Sequence, residues 1–91
     1  MADAAERLGF VGIVVDRRDV TSRVNQVLSE FGRVIQGRIG IPNREDGTAV
    51  IGLVVRGTNE EIGALTGRLG NIPGITVKSA LTARKKESEQ T

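Results

Sequence analysis

The sequence predicts an α+β domain: a four-stranded antiparallel sheet, β-α-β-β-α-β in chain order, with two helices on one face. Three observations carry that prediction. Two segments are apolar on both parities, as interior strands are, and two alternate, as edge strands do. Between them lie two stretches with apolar residues at helical spacing, each opened by capping chemistry and closed by a glycine. A strand order of 4-1-3-2 gives every segment the place its pattern demands.

The first strand runs from Leu8 to Asp16, with Leu-Gly-Phe-Val-Gly-Ile-Val-Val apolar throughout. Asp16-Arg17-Arg18-Asp19 then reads as a helix start, Asp16 as the cap and Asp19 in the first turn. Val20, Val24, Val27, Leu28 and Phe31 follow at offsets 0, 4, 7, 8 and 11 on one helical face, and Gly32 supplies the stop. Val34 to Pro42 alternates, turning Ile35, Ile39 and Ile41 one way and Gln36, Arg38 and Gly40 the other. Asn43-Arg44-Glu45-Asp46-Gly47 is a hairpin connection ending in Asp-Gly, and Ala49 to Val55 is a second interior strand.

Thr58-Asn59-Glu60-Glu61 has capping-box spacing, and Ile62, Leu65 and Leu69 mark the buried stripe of a second helix that Gly70 ends. Gly63, Ala64 and Gly67 make that helix weak on its own, so packing must hold it. Pro73-Gly74 turns the chain into a last strand with Ile75, Val77 and Leu81 on one side and Thr76, Lys78 and Ala80 on the other. The result is a ferredoxin-like sandwich over residues 8–82. Residues 1–7 and the charged tail of residues 83–91 are expected to be disordered.

Bulk composition narrows the function. Ninety-one residues make one domain, whose ordered monomer would hold only ~4–12 kcal/mol. The chain has no cysteine and no histidine, which removes disulfides, thiol chemistry, the usual transition-metal ligands and a Ser-His-Asp triad. The expectation is a domain that is not an enzyme, with no catalytic residues, no metal site and no cofactor. No signal segment or membrane span is legible, so a cytoplasmic home is expected. Thirteen Lys/Arg against eleven Asp/Glu leave a net charge of +2, too mild to demand nucleic acid. RNA-binding sheets of this kind stack bases on strand aromatics, and here Phe10 is the single strand aromatic. Arg84-Lys85-Lys86 reads as a solvated end, balanced by Glu87 and Glu89.

Two sites emerge. With the odd-numbered side in the core, the bare side of the sheet carries Phe10, Gly12 and Val14 beside Val50, Gly52 and Val54, fringed by Arg38, Gly40 and Lys78. An apolar, glycine-bearing face of this kind is expected to contact a copy of itself. The second site is the first strand–helix junction, where Asp16, Arg17 and Arg18, joined by Arg38, would receive an anionic effector.

The stretch Gly37-Arg38-Ile39-Gly40-Ile41-Pro42 resembles a small bacterial family named for regulation of the iron-only hydrogenase system. So do residues 61–70, together with Pro73-Gly74 and Val77-Lys78-Ser79-Ala80. The likeness runs from Leu8 to Leu81 and takes in Val11-Gly12-Ile13-Val14-Val15 and Asn25. It implies an ACT-type regulatory domain, similar in fold to the C-terminal domain of the nickel-responsive regulator, that forms homodimers or homotetramers through its sheets. Partners implied are a small-molecule effector or a hydrogenase-related protein. Nickel sensing is not implied, because that regulator's histidine and cysteine ligands are missing here. Its ribbon-helix-helix DNA-binding domain also has no room in the seven leading residues. Two other functions compete with this reading: a nucleic-acid-binding transcriptional regulator acting as an oligomer, and an acylphosphatase-like hydrolase using Arg17 or Arg18 with Asn25.

Overall fold

Strands β1 (Arg7–Val15) and β3 (Ala49–Gly57) pair antiparallel through the middle of the sheet, with Val11 opposite Leu53 and Gly12 opposite Gly52. Strand β2 (Ile35–Ile41) lies along the free edge of β3, and β4 (Ile75–Leu81) along that of β1. The order β2-β3-β1-β4 is the predicted one read from the opposite edge. These features belong to a computed structural model that describes residues 5–41 and 45–82. The expected tail of residues 83–91, its Arg84-Lys85-Lys86 run and the Pro42 that was to close the second strand lie outside the described residues.

Odd-numbered side chains of the two inner strands build the core. Val11, Ile13, Val15, Ala49, Ile51, Leu53 and Val55 are buried against Val24, Val27 and Leu28 of α1 (Thr21–Glu30) and Ile62, Leu65 and Leu69 of α2 (Asn59–Gly70). Both helices therefore cover one face of the sheet. Each such side chain contributes roughly 1.5–3 kcal/mol when fully removed from water. Among the described residues no buried side chain is polar.

The start of α2 follows its sequence signal. Glu61 N–H donates to Thr58 Oγ1 at 3.1 Å, and Thr58 N–H donates to Glu61 Oε1 at 2.9 Å, which closes the capping box. Inside the helix, an added Cβ at Gly63 or Gly67 would meet nothing within 4 Å. Replacing either with alanine should therefore stabilise the fold by about 0.5–1 kcal/mol, read as a higher urea midpoint at unchanged slope.

Helix α1 starts differently from expectation. Asp16 does not cap it: the chain first makes a 3-10 turn over Arg18–Val20, and neither Arg17 nor Val20, the residues at the two N-caps, makes a side-chain cap. Asp16 instead gives its backbone N–H to the Gly74 carbonyl at 2.8 Å, tying the end of β1 to the turn before β4. Nor do Gly32 and Gly70 end their helices through left-handed backbone. Among the described glycines that conformation belongs to Gly47 (φ 84°) and Gly74 (φ 79°), the two predicted turn glycines.

Strand β2 holds the largest departure. Ile35 pairs with Val55 and Gly37 with Val54, so two residues on β2 advance against one on β3. This β-bulge shifts the parity of everything after it. Arg38 faces the same side as Leu53, and Ile39 the same side as Gly52.

Candidate functional site

The uncovered face of the sheet is a grid read off the register. One row across β2, β3, β1 and β4 is Gly37, Val54, Phe10 and Ala80; the next is Ile39, Gly52, Gly12 and Lys78. The Phe10 ring lies over Gly52, where an added Cβ would collide with the ring atoms. Beside it, Gly12, Gly52, Ile39 and Val50 line a shallow apolar depression. Among the described residues, the six large hydrophobics that remain exposed all sit on this face: Leu8, Phe10, Val14, Ile39, Val50 and Val54. Ile39 is the most open of them, at 73%.

Phe10, Gly12, Val14, Val50, Gly52, Val54 and Lys78 thus lie together where the alternation placed them. Arg38 does not, and Gly40 borders the depression through its backbone alone. The bulge turns both to the helix-covered side and brings Ile39 to the open face in their stead. Sequence reasoning missed Ile39, and the signal was Gly37, an isolated glycine inside a strand pattern. Leu8 was missed for a simpler reason, having been counted as a strand end.

The β1–α1 junction does not form a free anionic cradle. Arg17 Nε and Nη2 donate to the two Asp19 oxygens at 3.0 and 2.6 Å, and the Arg17 stem packs where a Cβ on Gly74 would stand. That hydrogen bond holds the Asp19 carboxyl below its usual range and raises the Arg17 guanidinium. Arg18 extends toward the hairpin, its Nη2 3.8 Å from the Cβ position of Gly47. None of Asp16, Arg17 and Arg18 lines the cleft that Arg38 borders.

That cleft lies between α1 and β2. Arg38 Nη2 donates to Asn25 Oδ1 at 3.0 Å, and the two residues stand over a hollow of about 260 Å³ bordered by the exposed Ile39 and backed by the core residues Val15, Val24, Ala49 and Ile51. Thr21, at the start of α1, also borders it. Among the described residues no acidic one does.

The geometry agrees with what comparison with known proteins finds. Residues 7–79 match the TM1266-like family, described as "Iron-only hydrogenase system regulator, putative". The chain belongs to this family. Its solved relative TM1266 from Thermotoga maritima is 40% identical, with a TM-score of 0.80 over 87% of this chain and 100% of that one. The ACT domain of GTP pyrophosphokinase from Chlorobium tepidum is 24% identical, with a TM-score of 0.68 over 84% and 100%. A PII-like signalling protein from Thermus thermophilus is 18% identical, with a TM-score of 0.55 over 86% and 90%. Both of these share the fold. No curated protein matches the chain.

The TM1266-like match spans both helices and reaches into β4, so the open face and the α1–β2 cleft lie inside the family's common region. Among the described residues of this family member, no group of three or more acids gathers to hold a metal. Among the described residues no helix is long and apolar enough to cross a membrane.

Proposed function

We propose that this chain is a non-enzymatic regulatory module of the iron-only hydrogenase system. It acts in the cytoplasm as a homodimer or homotetramer that responds to a small-molecule effector or to a hydrogenase-related protein. The observation that carries the reading is the open face, where the exposed large hydrophobics among the described residues of a family member collect on one side of the sheet. Six such side chains, three of them lining a depression floored by glycines, are what a second copy of the same sheet would cover.

The lack of histidine and cysteine supports a regulator over an enzyme. The hydrolase reading loses its constellation, because Arg17 is engaged by Asp19 and Asn25 accepts from Arg38. Nucleic-acid stacking on the sheet finds little support, since Phe10 is the single strand aromatic and Phe31 sits on the helix layer beneath Arg68.

Light scattering at micromolar concentration should give a dimer or tetramer mass. A mass of 9.7 kDa would remove the self-association. Deleting the gene in its host should change hydrogenase level or activity, and unchanged hydrogenase would remove the regulatory role.

A further inference from the structure

We propose that the cleft between α1 and β2 binds a small aliphatic monocarboxylate, its carboxylate held by Arg38 and Asn25 and its hydrocarbon body resting on Ile39 and on the rims of Ala49 and Ile51. The inference deepens the regulatory reading and rests on it for the ligand's effector role, while binding itself is measured separately.

The charge argument begins with the arginines. Arg17, Arg33, Arg56 and Arg68 each pair with a carboxylate, respectively Asp19, Glu61, Glu6 and Glu30. Arg38, like Arg7, Arg18 and Arg23, pairs with no carboxylate among the described residues; of these four it is the one that borders the cleft, its guanidinium fixed by a neutral amide, Asn25, at 3.0 Å. One donor is used and the other four of the planar fork stay available, a geometry that matches a carboxylate in two-point contact. Because Asn25 Oδ1 is occupied by Arg38, its Nδ2 remains as a further donor toward the same anion.

The walls select the rest of the ligand. They are aliphatic, so the body beyond the carboxylate is hydrocarbon. Among the described residues no acid borders the hollow, so an ammonium would find no carboxylate partner there, which favours a plain acid over an amino acid. One cation suits one negative charge and leaves a phosphate dianion undercompensated. Gly40 adds no side chain to the wall, and a Cβ there would stand 2.6 Å from the Val50 carbonyl oxygen, so the opening is kept by the strand pairing itself. At about 260 Å³ the hollow falls just short of drug-sized pockets, which begin near roughly 300 Å³, and so suits a ligand of a few carbon atoms.

The probe is isovalerate, with valine as the same skeleton bearing an ammonium and inorganic phosphate as a bare anion, titrated into the full-length oligomeric protein. Isovalerate should raise the melting temperature and shift the backbone amide resonances of Val24, Ile39 and Gly40. Valine and phosphate at equal concentration should do neither. Arg38→Gln should weaken isovalerate binding by about 10- to 100-fold, the span for a lost charge-assisted hydrogen bond. Because Arg38 is exposed, that variant keeps the unliganded melting temperature. Arg17→Gln, at the junction, should leave binding unchanged.

Equal binding of valine, wild-type affinity in Arg38→Gln, or resonance shifts confined to residues 16–18 would overturn the site. Binding as described, with hydrogenase in the host indifferent to Arg38→Gln, upholds the site and counts against the regulatory reading alone. No binding by a protein whose gene deletion still alters hydrogenase removes the site and leaves the regulatory reading standing.

Discussion

Val54→Asp is expected to convert the oligomer into a folded monomer. Val54 occupies the open face between Phe10 on one side and Gly37 on the other, and both helices lie behind the sheet, away from it. The substitution therefore costs the monomer only the weak strand propensity of aspartate, within about 1 kcal/mol. In a self-complementary contact the same position recurs on the partner, so two carboxylates enter one desolvated patch. Like charges brought together in an interface cost several kcal/mol, which corresponds to about 100-fold or more in the dissociation constant. Sedimentation would read the loss of mass, and unchanged far-ultraviolet circular dichroism would show the fold intact. If Val54→Asp keeps the wild-type mass, the contact runs instead along a sheet edge, through β2 or β4.

Leu65→Ala should be the most damaging single truncation of the core. Leu65 is fully buried, in the middle of α2. Removing such a side chain costs about 2–5 kcal/mol, the lost transfer energy plus the cavity left behind. A domain of this size has a margin only a few times larger, and α2 carries Gly63 and Gly67 in its interior. With little intrinsic helix preference to fall back on, α2 should loosen before the sheet does. Urea unfolding would show a lower midpoint, and amide exchange in α2 should outrun exchange in β1 and β3. Exchange rising equally in every element would mean that the helix and sheet unfold as one unit.

The fold was legible because burial writes itself into parity. β1 and β3 are apolar on both parities and lie inside; β2 and β4 are not and lie at the edges. The second helix was legible down to its first hydrogen bonds, since Thr58 and Glu61 carry a local signal that needs no tertiary partner. The site was legible only where it rests on unbroken alternation. Phe10, Val14, Val50 and Val54 face out as their numbering implies, whereas the bulge between Ile35 and Gly37 reverses Arg38, Ile39 and Gly40. Counting by twos cannot register an extra residue in one strand; it emerges only from pairing with a neighbouring strand that is distant in the chain. Arg17 differs from its expected role for another reason. The sequence places Asp19 in the first turn, and only the turn geometry sets the Arg17 guanidinium against it at 2.6 Å.

The irregularity in β2 also has a mechanical meaning. Arg38 and Ile39 are joined by one peptide bond; Arg38 belongs to the cleft under α1, and Ile39 borders both that cleft and the surface a twin would cover. A rotation of that single amide plane shifts both at once, so occupancy on one side and assembly on the other need no relay through the core. Thermodynamic reciprocity then fixes the bargain: whatever factor the acid applies to association, association returns to the acid's affinity.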